Sequence, residues 1–416
     1  MHNRMKIIQL DDTLPLDDCP ATRYTHDSKR YGLRGRTENK LKAWARSFLS
    51  GRPKRTISPI PENPKCVLVA TGGNLGGAII SLPLIEGVRK RWPNTHLAVV
   101  SNRQHGLDII KRAGVGDSFH LAPEISLSRF LFSRSYWSFR NRVRHIAPDV
   151  FIGNHNFNLT HILPLSSIDL TIGHVGQSPS FSDLNVTANI YDKQVKCTAR
   201  RNWLATYWDI LDSIGINVRQ VPAITVTKSR HRAAQKTVAA LGVEREELIV
   251  GIQASVWGNQ QFKAWPVTHL AEFCKLLWSE NKIRSLIIGA PGQELLGDLL
   301  RQQYPDVPFI DGLGKFSIEE LPDVVSTCAA VLTNDSGLMH LSAAVGTPTL
   351  AIYGMTDPEI TWVYGDHTSH RIIRRAGCKP CYGWDNNLAE TCPTRHCLNH
   401  ITPQKILDEM TNMLKH

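Results

Sequence analysis

The stretch that decides the fold runs from 331 to 354 and reads VLTNDSGLMHLSAAVGTPTLAIYG. It begins at the end of an apolar run, and the polar NDSG cluster at 334–337 is typical of a tight turn. Leu338, Leu341 and Ala344 then repeat at helical spacing. A Gly-Thr-Pro sequence ends this helix, and an apolar run rich in β-favouring residues follows it. The stretch therefore predicts a strand, a helix and a second, parallel strand.

The turn of this unit predicts a binding site for an anion. In a strand–helix–strand unit, the carboxyl end of the strand and the amino end of the helix meet, and the unpaired N–H groups there attract phosphate. Asp335 or Ser336 can cap the helix. Ser336 and His340 lie four residues apart, which places both on one helix face. A capped helix with a core histidine is the ordinary alternative for such a turn.

The same residues resemble the donor-site motif of the heptosyltransferase family, the transferases of the lipopolysaccharide core. The resemblance covers about residues 64 to 410 and implies an α/β protein of the GT-B type, with two facing Rossmann-like domains, parallel sheets and a cleft between them. In that family the Asp, the hydroxyl residue, the Gly and the His of the motif hold the diphosphate and the sugar of ADP-heptose. The resemblance therefore implies a donor site formed by Asp335, Ser336, Gly337 and His340.

Two further segments resemble donor-binding motifs of the family. The first reads QAS at 253–255 and KAWP at 263–266, after a predicted strand. A hydroxyl and an ammonium at the end of a parallel strand suit a diphosphate, and the resemblance assigns these roles to Ser255 and Lys263. The second, GAPGQE at 289–294, resembles a turn whose acid contacts the nucleoside, which assigns Glu294 to the ribose hydroxyls. A surface lysine and a first-turn glutamate are the ordinary alternatives.

The catalytic position departs from the family pattern. TGGNLGGAIISLPL at 71–84 resembles the amino-terminal motif, whose Asp is thought to deprotonate the acceptor hydroxyl, but Gly77 stands at that position. Glycine offers no group for this step. Either another residue is the base, with His155 after a first-domain strand as the first choice, or the chain is a catalytically impaired relic that binds sugar nucleotides. His155 is also consistent with an ordinary turn residue. The next candidates for the base are His105, Asp108 and His174.

An NADP-dependent oxidoreductase is the alternative from another class. Glycines at 72–77 follow a predicted strand, and the second strand ends near Arg103, which suits a 2′-phosphate. The glycine spacing is not G-x-G-x-x-G, and this interpretation leaves the motifs of the second half unexplained.

Length and composition predict a two-domain globular protein. The chain has 416 residues, of which 42% are hydrophobic and 20% charged. The predicted organisation is a basic N-terminal extension (1–60), a first Rossmann-like acceptor domain (61–226), a second, donor-binding domain (227–400) and a final helix (401–416) that packs back on the first domain. We find no run long enough to span a membrane and no signal-peptide core, so the sequence predicts a cytoplasmic protein.

Positive charge is concentrated in the extension. The net charge is +11, and residues 21–60 hold eleven Lys or Arg against Asp27 and Glu38. Leu41, Trp44 and Phe48 follow helical spacing among these basic residues. This pattern indicates an amphipathic helix that either contacts anionic lipid on the inner face of the membrane or packs on the body of the protein. Nucleic acid is not an expected partner, because no reading module accompanies the basic segment.

A cluster of four cysteines near the end of the chain indicates a structural metal site. The spacing C-x2-C-x10-C-x4-C suits tetrahedral thiolate coordination, with reduced thiols as the alternative and His396 or His400 as possible substitute ligands. Many members of the family have a comparable cluster, and in related autotransporter heptosyltransferases it holds a metal. The resemblance therefore implies structural zinc or iron at Cys378, Cys381, Cys392 and Cys397.

Together, these features predict an inverting glycosyltransferase that needs no cofactor for catalysis. The resemblance implies heptose as the sugar, ADP-heptose as the donor, and lipopolysaccharide or another surface glycan as the acceptor. The motifs themselves specify neither the sugar nor the acceptor.

Overall fold

The computed structural model describes residues 6–10, 59–123, 133–153, 167–177, 191–198, 200–253, 256, 258–361, 369–375, 380–381 and 392–415. The chain forms two compact units. The first is His26–Pro222, and the second is Ala223–His416 together with the N-terminal Met1–Thr25. The boundary expected at 226/227 lies close to this division. Among the helices that the structure describes, none combines the length and the apolar character that a bilayer span requires.

The strands in chain order are β1 (Lys6–Leu10), β2 (Cys66–Ala70), β3 (His96–Ser101), β4 (Ser118–Leu121), β5 (Val150–Ile152), β6 (Leu170–Gly176), β7 (Lys193–Cys197), β8 (Ile249–Gln253), β9 (Arg284–Gly289), β10 (Ile310–Leu313), β11 (Ala330–Asn334), β12 (Thr349–Tyr353) and β13 (His370–Arg375).

The helices are α1 (Leu75–Arg91), α2 (Gln104–Ala113), α3 (Arg134–Ile146), α4 (Trp203–Ser213), α5 (Lys228–Ala239), α6 (Val267–Asn281), α7 (Glu294–Gln303), α8 (Leu321–Val325), α9 (Gly337–Val345), α10 (Pro358–Thr361), α11 (His396–Asn399) and α12 (Pro403–Leu414), with a 3-10 helix at Gly258–Lys263.

Both units contain a parallel sheet, as the alternation of apolar runs and helical patterns predicts. The first sheet has the order β4-β3-β2-β5-β6-β7, and the second has the order β1-β13-β12-β11-β8-β9-β10. Central strands such as β2 and β12 are buried along their whole length, which is typical of parallel strands covered on both faces. In the second sheet, β11 pairs with β12 in parallel register, with α9 connecting them. The strand–helix–strand unit predicted from residues 331–354 is therefore confirmed.

The N-terminal extension contributes a strand that no sequence pattern predicts. Residues Lys6 to Leu10 form β1, which pairs in parallel with β13 from Lys6–Arg371 to Leu10–Arg375. Ile8 is half-buried and packs against the core of the second unit. Five residues with no neighbouring turn or helix signal do not predict a strand, and the partner strand lies at the other end of the chain.

The final helix, α12, packs within the second unit, and its expected contact with the first domain stays a prediction. Its apolar face, with Ile406, Leu407 and Met410, belongs to the same core cluster as α6. Arg371 on β13 lies 3.3 Å from Glu409 of this helix, and both side chains are largely buried. The apolar face of α12 therefore packs within the unit to which the helix belongs, and the buried Glu409 carboxylate pairs with a cation of the same unit.

Candidate functional site

The predicted donor residues follow three neighbouring strands of the second sheet. The 3-10 helix with Lys263 follows β8, Asp335 follows β11, and Glu294 follows β9, and these strands lie in the order β11-β8-β9. Because parallel strands end at the same edge of a sheet, all three side chains belong to one edge. This edge is the candidate site.

Lys263 and Asp335 form an ion pair at this edge. The Lys263 ammonium lies 3.4 Å from Asp335 Oδ2, and the two side chains are only 11% and 7% exposed. The two loops are also joined by the backbone N–H of Trp265, which donates to Asn334 Oδ1 over 2.8 Å. Trp265 is buried in the core of the unit. The structure therefore brings together a cation and a carboxylate that the sequence separates by 72 residues.

Ser336 caps the helix that begins at the site. Its Oγ accepts a hydrogen bond from Leu338 N over 3.3 Å, whereas Asp335 is used in the ion pair. Of the two capping residues that the sequence allowed, the structure selects Ser336. The amino end of α9 therefore begins directly after Asp335, the partner of Lys263. Its partial positive charge and the nearby ammonium favour an anion.

His340 is held in its neutral form. The residue is 5% exposed, and burial lowers the pKa of its imidazole from 6.5 to about 4, with Asp335 raising and Lys263 lowering the value. A neutral imidazole supplies a hydrogen bond but no charge. The positive charge of the predicted donor site therefore comes from Lys263 and the helix terminus.

This neutral histidine predicts that the second unit loses stability in acid. The unfolded chain takes up the His340 proton near pH 6.5, and the folded chain only near pH 4. Between these values the unfolded state binds more protons, so the free energy of unfolding falls as the pH drops from 6.5 towards 4. The full interval corresponds to about 3 kcal/mol. Urea unfolding between pH 4 and pH 7 should show a flatter dependence for His340→Gln, and an unchanged slope would contradict the assignment.

Glu294 is exposed at the start of α7 and also stabilises its own turn. Its Oε1 accepts a hydrogen bond from Gly292 N over 3.0 Å, and Gln293 Oε1 accepts one from Ala290 N over 3.1 Å. These bonds hold the turn after β9 in place. The ribose contact assigned to Glu294 stays a prediction.

Gly77 fills a position with little room for a side chain. It lies in the first turn of α1, where its N–H donates to Asn74 Oδ1 over 2.7 Å. A Cβ at Gly77 would lie 2.8 Å from that oxygen and 3.2 Å from Gly72 Cα. Replacement by Asp would therefore displace the Asn74 cap. The tight approach of Gly72 and Gly77 gives the glycine a packing role of its own.

Of the candidates for a catalytic base, His174 is excluded by its surroundings. It is buried in β6, its Nε2 lies 2.9 Å from the Thr206 carbonyl, and burial lowers its pKa to about 4. Such a histidine is a core residue. His105 is exposed on α2, and Asp108 on the same helix accepts a hydrogen bond from Gln104 over 2.5 Å. His155 and Ser255 lie outside the described residues.

The cysteine cluster is described only in part. Cys381 and Cys392 are half-buried, Cys397 is buried, and Cys378 lies outside the described residues. Within the described ranges no three His, Cys, Asp or Glu side chains are grouped as a metal would require. His396 Nδ1 and His400 Nε2 lie 2.9 Å apart, so one ring donates to the other. The metal site expected at the cysteine cluster therefore stays a prediction.

Comparison with known proteins gives consistent matches. Residues 175–391, more than half of the chain, match the model of glycosyltransferase family 9 (heptosyltransferase). The chain is 39% identical over 162 residues to lipooligosaccharide heptosyltransferase 2 of Haemophilus influenzae. This alignment covers 36% of this chain and 43% of the relative. It is 32% identical over 161 residues to lipopolysaccharide heptosyltransferase 2 of Salmonella typhimurium, with coverages of 36% and 43%. The chain thus spans less than half the length of these curated relatives.

Solved structures show the same fold. The family 9 glycosyltransferase of Veillonella parvula has a TM-score of 0.71 at 18% identity, covering 86% of this chain and 100% of its own. ADP-heptose lipopolysaccharide heptosyltransferase II of E. coli has a TM-score of 0.65 at 18% identity, with coverages of 84% and 98%. The predicted two-domain GT-B fold class is confirmed. None of these matches supports the oxidoreductase alternative.

Proposed function

Because this chain belongs to glycosyltransferase family 9 (heptosyltransferase), we propose that it is an inverting glycosyltransferase that transfers heptose from ADP-heptose to lipopolysaccharide or another surface-glycan acceptor. The observation that carries the proposal is the buried Lys263–Asp335 pair next to the amino end of α9. A buried ammonium at the edge of a parallel sheet is suited to a nucleoside diphosphate. The curated relatives are named as heptosyltransferases, which supports heptose as the sugar.

In the proposed reaction a base removes the proton from the acceptor hydroxyl. The hydroxyl oxygen attacks the anomeric carbon from the face opposite the diphosphate, the bond from that carbon to the diphosphate oxygen breaks, and ADP leaves. Lys263 and the N–H groups of α9 stabilise the negative charge that grows on the leaving diphosphate. Neutral His340 and Ser255 add hydrogen bonds, and Glu294 holds the ribose. No cofactor takes part in these steps.

We assign the base to His155, which comes three residues after the end of β5 in the sequence. The relic interpretation is the second candidate, because Gly77 supplies no carboxylate and a side chain at this position would have to displace Asn74 Oδ1. An active enzyme and a relic are both expected to bind the donor, but only the active enzyme is expected to turn it over.

The direct test of the function is acceptor-dependent release of ADP from ADP-heptose. Purified protein should release ADP only when a heptose-deficient lipopolysaccharide core is present, and the new glycosidic bond should have the anomeric configuration opposite to that of the donor. Tight ADP binding without any turnover would support the relic. Absence of both would contradict the proposed function.

We propose a structural zinc or iron at Cys378, Cys381, Cys392 and Cys397, with no part in the transfer chemistry. A dodecameric heptosyltransferase, TibC of E. coli, is described as iron-containing. It has a TM-score of 0.53 at 16% identity, and the alignment covers 86% of this chain and 79% of TibC. Thiolates bind either metal, and such sites stabilise the fold around them.

Metal analysis of protein purified under reducing conditions should find about one ion per chain. Cys381→Ser and Cys392→Ser should lose it and melt at lower temperature while still binding ADP. Cys197→Ser, a buried cysteine in the first unit, should keep the metal. Metal-free parent protein would leave only reduced thiols at this cluster.

We also propose that the basic segment 21–60 contacts anionic lipid at the inner membrane surface. The segment lies outside the described residues except for its last two. The triple variant Lys40→Glu, Lys42→Glu, Arg46→Glu should lose salt-sensitive cosedimentation with phosphatidylglycerol vesicles. Equal binding by the parent and the variant would contradict this contact.

A further inference from the structure

Gln253, the last residue of β8, connects the end of this strand to the segment that leads from β11 into α9, through one oxygen atom. Its Oε1 accepts hydrogen bonds from Thr333 Oγ1 over 2.6 Å, from Ser336 Oγ over 2.7 Å and from Asn334 N over 3.2 Å. Thr333 and Asn334 are the last two residues of β11, and Ser336 is the N-cap of α9, so all three donors lie where the strand leads into the helix. A backbone N–H can only donate, so the bond from Asn334 sets the orientation of the amide, with its oxygen towards the turn.

These bonds also determine the direction of the Ser336 hydroxyl. Its single proton is donated to Gln253, and its oxygen accepts the bond from Leu338 N that caps α9. With its proton used in this way, Ser336 acts as the cap of the helix and not as a hydrogen-bond donor to an anion. The N–H groups at the start of α9 are therefore held in place by a chain of two bonds, from Leu338 to Ser336 and from Ser336 to Gln253.

Two of the three partners of Gln253 are buried. Thr333 and Asn334 are almost fully buried, and Asn334 also accepts the bond from Trp265 N that joins the Lys263 loop to the turn. A glutamine that satisfies three donors at once restricts the turn more than any one of these bonds would. Asp335, the partner of Lys263, lies in the middle of this turn, between Asn334 and Ser336.

We propose that Gln253 is a positioning residue for the donor diphosphate, which acts through Ser336 by holding the turn and the amino end of α9 in the binding geometry. This inference rests on the proposed function, since it takes the diphosphate of the donor as the ligand. Gln253 was not among the residues predicted from the sequence, because a glutamine at a strand end carries no distinctive pattern.

A double-mutant cycle on ADP affinity tests the proposal. Gln253→Met keeps the length of the side chain and removes the acceptor, and we expect ADP affinity to fall about 5- to 20-fold by calorimetry. Ser336→Ala should cost a similar factor. Both changes break the same chain of bonds, so the double variant should bind ADP about as weakly as the weaker-binding single variant. Its loss of affinity should be smaller than the product of the two single losses. Gln235→Met, on the exposed face of α5, is the matched control and should bind like the parent.

If Gln253→Met does not fold, Gln253→Asn replaces it, because the shorter side chain withdraws the same amide from the turn. If the parent binds ADP and a Gln253 variant binds it with equal affinity, the inference is overturned and the proposed function still stands. Losses that multiply in the double variant would also overturn it, since Gln253 would then not act through Ser336. A parent that does not bind ADP would contradict the proposed function, and this inference with it.

Discussion

Lys263→Ala should weaken ADP binding by roughly 1.5–3 kcal/mol, about 10- to 150-fold, which is the scale of a hydrogen bond to a charged group. The same change should also destabilise the second unit. Asp335, whose side chain is 7% exposed, would keep a buried carboxylate without the ammonium that now lies 3.4 Å away. Breaking a buried pair on one side costs about 3–5 kcal/mol. Calorimetry measures the affinity, and urea unfolding measures the stability.

The chain provides a matched control for this variant. Lys275 on α6 lies 3.6 Å from Glu272, and the two side chains are 58% and 40% exposed. Lys275→Ala should leave ADP affinity unchanged and alter stability by less than about 1 kcal/mol, because exposed ion pairs contribute little. The double variant Lys263→Ala, Asp335→Asn should regain stability and still bind ADP weakly. If Lys263→Ala binds ADP as well as Lys275→Ala does, the donor site is wrongly assigned.

His155→Ala should lower turnover with the natural acceptor by about two to four orders of magnitude, the usual contribution of a general base. ADP affinity should stay nearly unchanged, because the residue belongs to the first unit and the predicted donor contacts belong to the second. The measurement is kcat from acceptor-dependent ADP release, with ADP affinity determined on the same preparation. The relevant comparison is His105→Ala, an exposed histidine of the same unit, which should keep the activity of the parent.

Two outcomes would change the assignment of the base. If the parent is active and His155→Ala is equally active, the base is another residue, and His105 and Asp108 remain to be tested, whereas His174 is a buried core residue. If the parent is inactive and Gly77→Asp gains activity, the relic interpretation is correct. The second result requires Asn74 to move, because a side chain at position 77 meets its Oδ1.

The parts of the fold that the sequence predicts are those determined by neighbouring residues. The unit β11–α9–β12 carries its own turn cluster, helical spacing and helix-ending glycine, and Gly346 indeed ends α9 in the left-handed conformation, with φ of 87°. Such signals act within one or two turns of chain. The approach of Lys263 to Asp335 was predicted only through the family resemblance, since no local pattern joins residues so far apart.

The features that the sequence did not predict depend on distant partners. β1 acquires its conformation from β13, and α12 packs on α6 because its apolar face fits the core of its own unit. An amphipathic helix shows which of its faces is buried and does not show against what. Gln253 belongs to the same class, because its role arises from three donors on the neighbouring strand and turn.

The central claim is that the second unit holds an adenosine diphosphate moiety at Lys263, Asp335 and the start of α9. The measurement that tests it most directly is calorimetric titration of the parent with ADP, UDP, GDP and NADP(H), repeated with Lys263→Ala. The account predicts that ADP binds most tightly and that the variant loses about 10- to 150-fold of this affinity. Preferential binding of NADP(H), or ADP binding that does not depend on Lys263, would contradict it.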